Sequence, residues 1–149
     1  MQLSKFSDYA LRILIHLAAS PDQLLSTRQI AELHDAKYNH LAKITGWLVN
    51  EGYAISSRGR GGGLKLAKQP DEINLGKVFR ALEADKPLVE CMSPDGGNCR
   101  FSTACGLSVI LDTAQEAFFQ SLEQFTLSDL PRMSPGMTKL LDMVNSEIA

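Results

Sequence analysis

The chain has 149 residues, of which 44% are hydrophobic and 21% charged; that suits one folded domain with an appended helix, not a disordered chain or a two-domain enzyme. Its net charge of −2 hides an asymmetry: residues 1–80 hold 11 Lys and Arg against 7 Asp and Glu, and residues 81–149 hold 4 against 10. A basic front half is suited to phosphate and an acidic back half to solvent or a partner.

Residues 3–19 place Leu3, Phe6, Ala10, Ile13, Leu14 and Leu17 at helical spacing, which predicts a helix with one broad buried face. Asp8, Arg12 and His16 fall four apart as a polar stripe, within which Asp8 and Arg12 can form an i,i+4 ion pair. The same charges interrupt the longest apolar stretch, so neither a membrane span nor a signal peptide is expected, and the chain is expected in the cytoplasm with no membrane partner. Pro21 ends the helix.

A second helix is predicted from Ser26, with Gln29 three residues on in the spacing of a capping box, to His34. Asn39 is the expected cap of a third helix, whose buried face is Leu41, Ile44, Trp47, Leu48 and Val49 and whose end is Gly52. Two short helices after an anchoring one is the order of a helix-turn-helix, in which the second helix of the pair enters the DNA major groove. Residues 53–57 and 64–67 then read as two strands around Arg58-Gly59-Arg60-Gly61-Gly62-Gly63, a hairpin placed as a wing. The glycines are not a nucleotide loop, because a strand rather than a Gly-Lys-Ser/Thr helix start follows them.

Asn74 is expected to cap a fourth helix to Ala84. From about Thr103 a long amphipathic pattern follows, with Leu107, Ile110, Leu111, Ala114, Ala117, Phe118, Leu122 and Phe125 at three- and four-residue steps. So long a helix is naturally covered by a second copy of the chain. A capped turn at Thr126–Leu130 and a last helix at about residues 136–147 complete the reading. The fold class is mainly α with a small β-hairpin, a winged helix-turn-helix plus a long dimerisation helix. The expected segments are 1–84 for DNA binding, 85–106 for a cysteine loop and 107–149 for dimerisation and C-terminal helices.

The cysteines are spaced Cys91-x7-Cys99-x5-Cys105, in a loop that also holds Pro94, Gly96 and Gly97. An odd number of cysteines in a chain with no export signal argues against a disulfide framework and for metal binding by thiolates. The spacing fits zinc and an iron–sulfur cluster alike. No nucleophile–base–orienter set is seen, and His16, His34 and His40 are scattered along the chain, so the protein is read as a regulator and not an enzyme. The DNA contacts expected are Ser26, Thr27 and Arg28 at the start of the second helix, Asn39, His40 and Lys43 near the start of the third, and Arg58 and Arg60 on the wing.

Four features together resemble a known family: Met1-Gln2-Leu3-x-x-Phe6-x-Asp8-Tyr9-x-Leu11-Arg12, the wing Arg58-Gly59-x-Gly61-Gly62-Gly63-x-x-Leu66, the three-cysteine loop, and Phe125-Thr126-Leu127-Ser128-Asp129-Leu130. They resemble the winged-helix repressors of the IscR, NsrR and RirA group, above all its nitric-oxide-sensing NsrR-like branch, to about residue 130. The resemblance implies a homodimer on double-stranded operator DNA, with Cys91, Cys99 and Cys105 as ligands of an iron–sulfur cluster, 4Fe-4S before 2Fe-2S. IscR-like members carry a histidine ligand three residues after the last cysteine, where this chain has Ser108. NsrR-like members take an aspartate of the first helix from the other subunit, which matches Asp8. The implied activity is repression that is relieved when nitric oxide attacks the cluster. Two alternatives stay open at this point: an iron- or cluster-status regulator of the RirA or IscR type, and a zinc-stabilised interaction module.

Overall fold

The structure is a computed structural model that describes residues 3–148 with the exception of Pro135. It contains α1 (Lys5–Ala19), α2 (Thr27–Leu33), α3 (Tyr38–Asn50), β1 (Ala54–Ser57), β2 (Gly63–Leu66), α4 (Leu75–Glu83), α5 (Gly106–Leu122), α6 (Leu130–Met133) and α7 (Met137–Ile148). The fold class matches the expectation: helices with one two-stranded antiparallel hairpin. Among the described residues no helix is long and apolar enough to cross a membrane.

The chain divides into two compact units. One is Ser4–Ile73 together with the segment from Thr126 onward. Its core is Ala10, Ile13, Leu14 and Leu17 of α1, Ile30 and Ala31 of α2, Leu41, Ile44 and Leu48 of α3, and Leu25, Ala54, Leu64, Ile73 and Leu127 around them. Ser4 starts α1 by accepting a hydrogen bond from the Ser7 N–H at 3.2 Å. Ser26 starts α2 with the full capping box, its own N–H donating to Gln29 Oε1 at 2.9 Å.

The turn between α2 and α3 is set by a left-handed residue that is not glycine. Asp35 has φ 46°, its N–H donates to Glu32 O, and the next N–H, of Ala36, donates to Ala31 O; this pair of bonds is a Schellman motif, and aspartate tolerates the left-handed region better than most side chains. The helix start therefore falls earlier than expected, at Tyr38 after Lys37, with no side-chain cap. Asn39 lies inside the first turn instead of capping it. The other end of α3 is a second Schellman motif, in which Gly52 (φ 71°) donates to Val49 O and Tyr53 donates to Leu48 O.

The hairpin pairs Ala54 with Leu66 and Ser57 with Gly63. It is pinned to the α1–α2 connection by Leu25, which exchanges two backbone hydrogen bonds with Leu64 at 3.1 and 2.9 Å. Close approach explains the glycine beside that bridge: a Cβ on Gly63 would lie 2.9 Å from the carbonyl carbons of Leu24 and Leu25.

The second unit is Asn74–Phe125 with Leu3. This division departs from the expected segments, because α4 joins α5 and not the winged helix, while the C-terminal segment returns to the winged helix. The reason is long-range pairing. Asn74 caps α4 by accepting from the Lys77 N–H, and its Nδ2 donates to Glu123 O at 2.7 Å. Arg80 donates to Glu116 at 2.7 and 3.0 Å and to Glu123 at 3.0 Å. In the other unit, the Leu127 N–H donates to Ile73 O at 2.9 Å and α7 packs on α1. On α5 only Phe119 is buried, whereas Leu107, Val109 and Ile110 are 60–66% exposed.

Candidate nucleic-acid interface and cysteine loop

A groove of about 620 Å³ lies between α2, α3 and the wing. It brings together Ser26, Thr27, Arg28 and Arg58 of the expected DNA contacts. The start of α2 is held to α3 where Thr27 Oγ1 and Thr45 Oγ1 meet at 3.4 Å. Asn39, Lys43 and Arg60 are exposed but are not among the residues that line the groove. The wing arginines stand on a turn closed by the Gly62 N–H donating to Gly59 O at 2.9 Å.

His40, expected to face DNA, has its ring against α1. It meets Tyr9 and Phe6 edge-on, with centroids at 5.7 and 6.4 Å, and its Nε2 is enclosed without a hydrogen-bond partner among the described residues. Nor are the histidines scattered in space. His16 is 6% exposed, buried and not part of an outward polar stripe, and its Nε2 shares a hydrogen bond of 3.1 Å with Nε2 of His34, the C-cap of α2. Burial first, then His16 and Arg12, push the His34 imidazole below its ordinary pKa, with Asp8 opposing.

Tyr38, Ala42, Gly46 and Asn50, not among the expected contacts, line the same groove. Gly46 and Asn50 are exposed, and the space beside Gly46 is open. Their four-residue spacing along the side of α3 away from Leu41, Ile44 and Leu48 was available as a signal.

In the second unit, Cys91, Cys99 and Cys105 are free thiols, each partly exposed. Cys91 lies in a single 3₁₀ turn, Glu90–Met92, and Cys105 is the residue before α5. The chain beside Cys91 is clasped to the chain beside Cys99. Gly97 (φ 55°) sits so near Glu90 that a Cβ would lie 2.9 Å from Glu90 O, and the Asn98 N–H donates to Glu90 Oε1 at 3.4 Å. Ser108 donates to Cys105 O at 2.7 Å, so this side chain is spent on the helix start.

The donor chemistry fits a thiolate-bound cluster: three free thiols on one irregular segment, with no disulfide competing. Among the described residues, however, no three His, Cys, Asp or Glu side chains are gathered closely enough to hold a metal ion. Asp8 lies in the other unit, on α1, where both carboxylate oxygens accept from Arg12, at 3.0 and 2.8 Å.

The Rrf2 family, described as an iron-dependent transcriptional regulator, matches residues 3–132. The chain is 39% identical to the HTH-type transcriptional regulator NsrR of Shouchella clausii, over 99% of each chain. It is 41% identical to the regulator of the same name in Bacillus subtilis, over 96% of this chain and 99% of that one. Among solved structures it is similar to CymR, the global cysteine regulator of B. subtilis, at 27% identity and a TM-score of 0.63, over 90% of this chain and 98% of that one.

Proposed function

Because the chain belongs to the Rrf2 family of transcriptional regulators and is a DNA-binding regulator, not an enzyme, we propose that it is a cytoplasmic repressor whose hold on operator DNA is controlled by nitric oxide through an iron–sulfur cluster on Cys91, Cys99 and Cys105. Asp8 is the proposed fourth ligand. The observation that carries the reading is the pairing, in one chain, of a groove between α2, α3 and the wing with three free, partly exposed thiols on a single loop. When bound, the cluster supplies iron that reacts with nitric oxide.

The chain's own residues then do the rest. The thiolates tie a loop that runs directly into α5, since Cys105 is the N-cap of that helix. Leu107, Val109 and Ile110 leave an apolar face on α5 that is uncovered in a single chain, and a second copy is the proposed cover. A homodimer joined there carries two α3 helices, one for each half of a palindromic operator. Releasing the thiolates frees the loop at the head of α5, shifting the dimer toward a form that holds DNA poorly.

The test is anaerobic purification with ultraviolet–visible absorbance and iron, sulfide and zinc analysis, for the wild type and for Cys91→Ala, Cys99→Ala and Cys105→Ala. The expected result is brown protein with matched iron and sulfide, and loss of both in each variant. Colourless protein with one zinc per chain would overturn the cluster and with it the nitric-oxide reading.

A further inference from the structure

We propose that Tyr38 is a positioning residue that holds the guanidinium of Arg28 over its ring, so that Arg28 reads the edge of a guanine in the operator. This rests on the assignment of the α2–α3–wing groove to DNA.

The two residues come from different helices, Arg28 from the first turn of α2 and Tyr38 from the first position of α3. The Arg28 Cζ lies 5.6 Å from the Tyr38 ring centroid, within the range of a cation–π contact. Both side chains line the groove. Arg28 takes part in none of the ion pairs among the described residues, unlike Arg12, Arg80 and Arg132, each of which grips a carboxylate. Its fork of N–H donors is thus left for a ligand, with the guanidinium carbon over the Tyr38 ring.

Two further features favour a base over a phosphate. Of the α3 residues that line the groove, the two nearest Tyr38 along its four-residue row, Ala42 and Gly46, are small, and nothing lies within 4 Å of where a Cβ on Gly46 would stand. Small side chains at these two positions let that row of the helix come close to base edges. The planar fork of arginine matches O6 and N7 of guanine at two points, and a guanidinium fixed in one plane gives that match its direction. Sequence-independent attraction to phosphate is meanwhile supplied by Arg58 and Arg60, which are exposed on the wing.

The experiment uses the full chain. The wild type first selects a duplex from a random double-stranded pool; that duplex, its single-base variants and a random-sequence duplex are the probes. Arg28→Ala, Arg28→Lys, Tyr38→Ala and Tyr38→Phe are compared, with thermal melts as the check on folding. Arg28→Ala is expected to weaken the selected duplex about 10- to 100-fold, to lose discrimination at one guanine per half-site, and to leave the random duplex and the salt slope little changed. Arg28→Lys keeps the charge and loses the same discrimination, because it lacks the fork. Tyr38→Ala relaxes that same position about 10-fold, while Tyr38→Phe, which keeps the ring, stays within about twofold of wild type.

Uniform weakening of selected and random duplexes by Arg28→Ala, with a shallower salt slope, would overturn the proposal in favour of a phosphate contact. Full discrimination at the Arg28 position in Tyr38→Ala would overturn the positioning role. Failure of the wild type to enrich any duplex would overturn the groove assignment itself, which separates that failure from the other two.

Discussion

Asp8 and Arg12 meet at two points on the exposed side of α1, with Nε to Oδ1 at 3.0 Å and Nη2 to Oδ2 at 2.8 Å. An exposed i,i+4 pair of this kind contributes about 0.3–0.5 kcal/mol. If that were all Asp8 does, Asp8→Ala and Arg12→Ala would have equal and small effects. The proposed ligand role separates them. Asp8→Ala is expected to change the visible absorbance of the anaerobically purified protein, while Arg12→Ala leaves the spectrum as it is; identical spectra for all three proteins would remove Asp8 from the ligand set.

Gly63 gives a prediction about the wing. A methyl group there meets the backbone of Leu24 and Leu25 at 2.9 Å, and backbone cannot swing aside as a side chain can. Gly63→Ala is expected to cost about 1–3 kcal/mol and to weaken operator binding by unseating the Leu25–Leu64 bridge. An unchanged denaturation midpoint would show that the bridge yields freely.

Arg60 stands exposed on the wing turn, outside the groove lining. Arg60→Ala is expected to weaken all duplexes alike and to lower the slope of log affinity against log salt by about one. Binding measured across a salt series decides it, and an unchanged slope contradicts a phosphate contact.

His34 makes the stability of the winged-helix unit depend on pH. Its imidazole is held below the ordinary value of 6.5, so the unfolded chain takes up a proton more readily than the folded one. Its contribution to stability is therefore whole above pH 6.5 and is lost as pH falls from there through the folded-state value. The melting temperature is expected to drop on acidification below 6.5, and less steeply in His34→Gln. Parallel profiles for the two proteins would assign the pH dependence elsewhere.

Local signals carried most of the fold. The Ser26–Gln29 capping box, the Asn74 cap, the glycine-rich hairpin and the amphipathic stretch of α5 are each written within a few neighbouring residues, and each element formed where expected. What failed depended on partners distant in sequence or on backbone shapes that leave no residue signature. Asp35 takes the left-handed φ at the helix-turn-helix bend without a glycine to announce it, which moved the start of α3 ahead of Asn39. His16 falls on the polar stripe by spacing, yet His34, 18 residues away, draws it inward. Likewise Arg80 and Asn74 bind α4 to partners 36–49 residues on, and so take it out of the winged-helix unit. At the cysteine loop the spacing of the three thiols says nothing of whether they converge, because that depends on backbone clasps such as the one between Glu90 and Gly97, and among the described residues they are not gathered with other donors into a metal-holding group.

Control of DNA binding by nitric oxide is tested most directly by titrating the gas into the anaerobically purified protein while recording its visible absorbance and its affinity for the selected duplex in the same samples. The expected result is a brown protein that binds the duplex tightly and loses affinity in step with the bleaching of its absorbance. Affinity that stays constant while the colour is lost, or a colourless protein indifferent to nitric oxide, would contradict it.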